Sequence, residues 1–134
     1  MPRAYKELSG LLKVEWAARE LYTYTAQVTK NRAKFPEEYD KTSGELLTMT
    51  ALQIFHAVSD ANEIRVNSSA DLAERRSLQD YAIRQCKFMA RTITANVILC
   101  GISRKRERKW VGDITALREL IVAWRDSDRK RYKF

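Results

Sequence analysis

The side chains in this sequence that could do chemistry are its cations. Residues 104–134 hold 11 of the 25 Lys and Arg but 5 of the 17 Asp and Glu, so this stretch carries +6 of the formal +8 charge. Two runs account for it: RKRERK, with Arg104, Lys105, Arg106, Arg108 and Lys109, and RDSDRKRYKF, with Arg125, Arg129, Lys130, Arg131 and Lys133. A third, smaller group is Lys30, Arg32 and Lys34. Charge this concentrated is an electrostatic footprint suited to a polyanion, with Lys and Arg neutralising phosphates. Aromatic residues interleave with the runs. Trp110 and Trp124 fit a helical stripe and read as core, whereas Tyr132 and Phe134 are free to stack on bases or to anchor in a protein partner's groove.

Other chemistries find no residues to support them. There is no phosphate-binding glycine loop, no Gly-x-Ser-x-Gly and no Cys-His nucleophile arrangement. The near pairs of acids are better explained otherwise: Glu37 and Glu38 suit a helix start, and Asp126 and Asp128 lie among arginines that keep them ionised. Cys86 and Cys100 read as small core residues; on one helix they would be roughly 21 Å apart, too far to bridge. With a single histidine, His56, beside an apolar seam, a zinc site is not expected. The sequence therefore reads as a protein that is not an enzyme and needs no cofactor or metal.

The elements that must position the cations are helices. Gly and Pro number only 4 and 2, and hydrophobic and charged residues make up 45% and 31%. After an ambiguous segment 1–13, Ala17, Leu21, Tyr24 and Val28 place a first helix over about 14–31. Pro36 with Glu37 and Glu38 starts a second, whose seam is Leu47, Thr50, Ile54, Ala57, Ala61 and Ile64. The cluster Asn67, Ser68, Ser69, Ala70 and Asp71 offers caps for a third. That helix runs to about Ser103, burying Ala82, Cys86, Met89, Ile93, Val97 and Cys100. After a basic turn, Trp110, Ile114, Leu117, Ile121 and Trp124 mark a fourth over about 110–127.

Four helices with three short connections predict an all-α, antiparallel up-down four-helix bundle, a single domain over 1–134 with a basic C-terminal tail at about 128–134. In that topology Lys30, Arg32 and Lys34 share one pole with Arg104, Lys105, Arg106, Arg108 and Lys109. The tail lies at the other pole, near Arg3 and Lys6. No apolar run approaches the roughly 20 residues of a membrane span and the first residues lack a signal-peptide core, so a cytoplasmic location is expected.

Taken together, LYTYTAQVTKN, KFPEEY, ALQIFHAVSDANEI and AWRDSDRKRY resemble a known family. It comprises the small four-helix-bundle proteins that include the accessory variability determinant (Avd) of diversity-generating retroelements and the related proteins encoded in intervening sequences of 23S ribosomal RNA genes. The resemblance covers about 21–132. The Val-Thr-Lys-Asn and Phe-Pro motifs fall at Val28 to Asn31 and Phe35-Pro36, and the terminal Trp-Arg-x-Ser-Asp-Arg-Lys-Arg pattern falls on Trp124 to Arg131. Glu37 and Glu38 depart from it, since many relatives would carry a basic residue there.

The resemblance implies an antiparallel bundle, often in a homopentameric ring. It also implies a role as non-catalytic partner of an error-prone reverse transcriptase, binding the enzyme and its structured template RNA or cDNA through basic surfaces to support mutagenic retrohoming. The alternatives are a four-helix protein-interaction module and a ribosomal-RNA-associated bundle protein without a polymerase partner.

Overall fold

The computed structural model describes residues 10–134, with side chains from Lys13 onward. Arg3 and Lys6, expected near the tail, and most of the ambiguous 1–13 segment lie outside the described residues. Five helices follow in order: α1 (Gly10–Lys30), α2 (Glu45–Glu63), α3 (Ser69–Ala95), the one-turn α4 (Val97–Cys100) and α5 (Arg104–Arg131). The four long ones pack as the expected antiparallel bundle. Each long helix borders its neighbours in the cyclic order α1, α2, α3, α5, and the α1–α5 seam is the sparsest.

Apolar residues at three- and four-residue spacing drive this packing. In α2, Leu47, Thr50, Ala51, Ile54, Ala57, Val58 and Ala61 are buried, and in α5 the stripe Trp110, Ile114, Leu117, Ile121 and Trp124 is buried throughout. Ile64, expected in the α2 seam, is instead the extended residue that ends the helix. The α1 face is rotated from the expected one: Val14, Ala18, Leu21, Thr25 and Val28 point inward, while Ala17 and Tyr24 sit on its shoulder. The rotation has a polar cause. The Trp110 indole N–H donates to the Thr25 hydroxyl at 3.0 Å, so both groups can be fully buried without an orphan. Cys86 and Cys100 are buried free thiols, and burial pushes Cys86 up to about 12.

Three boundaries differ from expectation. The chain does not enter α2 at Pro36, which offers no side-chain cap. It makes a 3-10 turn over Glu37–Tyr39 and a wide π turn over Asp40–Gly44 before α2 begins. Gly44 closes this entry, because a Cβ there would meet the Phe35 ring and the Asp40 carboxylate at 3.3 Å.

The third helix stops at Ala95, not at Ser103. Asn96 leaves helical geometry, its amide donating to the Thr92 carbonyl (2.8 Å) and its side-chain oxygen accepting from the Ser43 hydroxyl (2.9 Å). One further turn, α4, ends at Gly101 in the left-handed region (φ 65). There the Gly101 and Ile102 amides donate back to the Ile98 and Val97 carbonyls, a Schellman closure.

The fourth long helix is the largest correction. It begins at Arg104 rather than Trp110, because Ser103 caps it by accepting the Arg106 amide at 3.1 Å. It continues to Arg131, so the first basic run is not a turn and most of the second is not a tail. What holds its last turns is Asp128, 3% exposed. Its carboxylate accepts from Arg75 (3.1 Å) and Gln79 (3.0 Å) of α3, while Arg75 also donates to the carbonyls of Ala61 and Ile64 at the end of α2. Three helices are thereby pinned at one point, with the Trp124 ring centroid 5.5 Å from the guanidinium.

Candidate nucleic-acid interface

The sequence-predicted cations fall into two groups: those held by an acid or a ring, and those with no such partner among the described residues. At the end of the bundle formed by the first and third connections, the Asp40 carboxylate takes Lys30 (2.9 and 3.1 Å) and Arg32 (2.9 Å). The Lys30 hydrogen bond, with that of Arg32, holds the Asp40 carboxyl below its ordinary range. Of that trio Lys34 has no side-chain ion pair or hydrogen bond among the described residues.

The 104–109 run is divided by helical geometry. Arg106 donates to the Tyr24 hydroxyl (2.6 Å), and Lys109 lies 4.7 Å from the centroid of the same ring while pairing with Asp113 at 2.9 Å. Both belong to the α1–α5 seam, where Tyr24 also meets Trp110 edge-on. The hydrogen bond from Asp113 raises the Lys109 pKa. Arg104, Lys105 and Arg108 are exposed and have no ion-pair partner among the described residues. Arg104 and Arg108 flank a groove of about 550 Å³ with Glu107, Val111 and Gly112. The eight cations expected to share one pole are thus at the same end but not one cluster.

At the other end Arg125 donates to Asp80 (2.8 Å), and Arg125 and Arg129 both approach Asp126 at 3.8 Å. Lys130, Arg131 and Lys133 are exposed and unpaired. Tyr132 is half-buried, 6.0 Å from the Arg75 guanidinium and stacked on Phe134, so only Phe134 is largely open to solvent.

Reading the charge by runs overlooked the cations of α3. Arg84, Lys87 and Arg91 lie three and four residues apart on the exposed side of α3, with half-buried Arg76 two turns earlier and half-buried Arg118 opposite on α5; among the described residues none of them has an ion-pair partner. The signal was present in a different form. Between Asp80 and Glu107 the sequence has no acid at all, while it has Arg84, Lys87, Arg91, Arg104, Lys105 and Arg106.

Two cross-links show that α3 and α5 present these residues together: Arg125 to Asp80 near one end and Thr94 to Glu107 (3.2 Å) near the other. Between them the α3 stripe Arg84, Lys87, Arg91 runs beside the α5 stripe Arg108, Val111, Arg118. The acids of this seam, Asp80 and Glu107, are both engaged in those links. The result is a rigid face of unpaired guanidinium and ammonium groups, which can bind phosphate by charge and hydrogen bonding.

Among the described residues no group of three or more His, Cys, Asp or Glu side chains converges as a metal site requires, and no helix is long and apolar enough to cross a membrane. Set against protein-family models, curated proteins and solved structures, the chain matches none of them.

Proposed function

We propose that this protein is a non-catalytic, cytoplasmic accessory subunit of a diversity-generating retroelement that holds the template RNA or cDNA for an error-prone reverse transcriptase. The observation that carries the reading is the α3–α5 face, where unpaired cations are mounted on two helices cross-linked to each other. Such a face neutralises phosphates with little sequence preference and with steep salt dependence. The resemblance of the motifs at 21–39, 51–64 and 123–132 supplies the retroelement context and the expectation of a homopentameric ring.

Co-purification of the tagged protein with the products of its neighbouring genes tests this, before and after nuclease treatment and at two salt concentrations, with the mass of the complex measured. A polymerase and one discrete RNA eluting with several copies of this chain are expected. A bare oligomer free of nucleic acid would overturn the reading.

A second reading, a protein-interaction module, has its own supporting observation. Ile98 and Leu99 of α4 are 94% and 55% exposed, held outward by the burial of Cys100 and Ile102 just after them. Failure to bind RNA at any salt, with a polymerase or other protein still retained, would favour that reading.

A further inference from the structure

We propose that the α3–α5 face takes the backbone of a double-helical nucleic acid rather than a single strand, an inference that rests on the nucleic-acid reading above. The first argument is the number of rows. Arg84, Lys87 and Arg91 form one row on α3, and Arg104, Arg108 and Arg118 a second on α5. Packed helices lie about 8–10 Å apart, whereas the grooves of a duplex separate its strands by about 6–12 Å. Two rows can therefore meet two strands across one groove. A single-stranded backbone can follow only one of them and leaves the other row unused.

The length of the face agrees. The stretch of α3 between its cross-links to α5, from Asp80 to Thr94, spans about 21 Å, which corresponds to about 6 base pairs. The rows are also fixed in space by the Asp80–Arg125 and Thr94–Glu107 links at their ends. A rigid double row suits a rigid rod better than a flexible strand, whose ordering would cost entropy.

The second argument is chemical. Surfaces that hold single strands supply aromatic rings for the unpaired bases to stack on. Neither cationic row contains one. Half-buried Trp16 and Tyr24 lie on α1, and Tyr81 turns to Gln53 of α2. Among the described residues one exposed ring, Phe88 at 39%, borders the α3 row on its α2 side, four residues after Arg84 and three before Arg91. A face with six cations in two rows and a single bordering ring, Phe88, reads phosphates and helical shape, which a duplex displays while its bases are hidden.

The test compares the protein's affinity for a DNA duplex about two turns long with that for one of its separated strands, by fluorescence anisotropy over a salt series. Wild type, the triple variant Arg84→Ala/Lys87→Ala/Arg91→Ala and Phe88→Ala are each measured, with circular dichroism confirming the fold. The duplex should bind at least about tenfold more tightly at a given salt, a difference of about 1.4 kcal/mol. The triple variant should lower the duplex salt slope by about 3, and Phe88→Ala should leave it unchanged. Equal or tighter binding of the single strand, or its loss in Phe88→Ala, would overturn the duplex inference while leaving the nucleic-acid reading in place. No binding of either form at low salt would overturn both.

Discussion

Asp40 and Asp128 each hold two partners, at opposite ends of the same bundle, and they do opposite things for the protein. Asp128 is buried against Arg75, itself 4% exposed, and joins the ends of α2, α3 and α5. Asp40 lies near the surface and gathers Lys30 and Arg32, which are 60% and 42% exposed through their side chains. One pair is architecture, because the loss of either member leaves a buried charge unmatched. The other is charge management, because solvent screens it and the cost of separation is small. The comparison teaches that the number of Lys and Arg in a stretch is not the charge it can offer a ligand.

Removing the buried acid should have the largest effect. Asp128→Ala strands the Arg75 guanidinium and should destabilise the fold by about 3–5 kcal/mol, read as a shift in the urea midpoint. The double variant Arg75→Met/Asp128→Leu should recover much of that loss, since an apolar pair of similar size leaves no charge unmatched. A double variant as unstable as the single one would show that the pair's worth lies in the carbonyls of Ala61 and Ile64 that Arg75 also satisfies.

Asp40→Asn should leave the urea midpoint nearly unchanged and sharpen the contrast differently. By raising the net charge beside Lys30 and Arg32 from +1 to +2 it should steepen the salt dependence of polyanion binding, by up to about 1 in the slope of log affinity against log salt. The pH dependence has a definite sign. Because the folded-state pKa of Asp40 lies below its ordinary 3.8, the contribution of this cluster is present at neutral pH and disappears as pH falls through the depressed value. Chemical-shift titration of the Asp40 carboxyl checks this, and an inflection above 3.8 would contradict it.

The smallest effect is expected at Lys109. Its pKa is raised above 10.5, chiefly by Asp113, so its contribution is complete below 10.5 and is lost as pH rises through the folded-state value. With 57% of the side chain exposed, Lys109→Met should change stability at neutral pH by less than about 1 kcal/mol. A loss well beyond that would mean that the contact with Tyr24 matters more than exposure suggests.

Much of this architecture was legible in the sequence wherever one periodicity dominated. The stripe from Trp110 to Trp124 and the α2 seam from Leu47 to Ala61 are buried as their spacing required. The ends of α5 were missed because charged residues leave no hydrophobic period; the local sign was Ser103 as a cap, and the distant one was Asp128, whose partner Arg75 is 53 positions away. The rotated face of α1 was missed for a similar reason, since Thr25 is buried only because Trp110 supplies its hydrogen bond. At the candidate interface, local charge density marked Arg104, Lys105 and Arg108 but overlooked Arg84, Lys87 and Arg91. On α3 the cations are spaced to share one face, and spacing rather than density was the informative quantity.

Among the described residues, accessible positive charge runs along α3 and α5 rather than wherever lysine and arginine are dense. The most direct test of this is the salt slope of RNA binding for two variants measured side by side, Arg84→Ala/Lys87→Ala/Arg91→Ala and Lys30→Ala/Arg32→Ala. The first should flatten the slope by about 3 and the second by no more than about 1, because the Asp40 carboxylate already neutralises one of its two cations. A slope flattened beyond that in the second variant, with the first unchanged, would contradict this and move the phosphate contacts to the connection between α1 and α2.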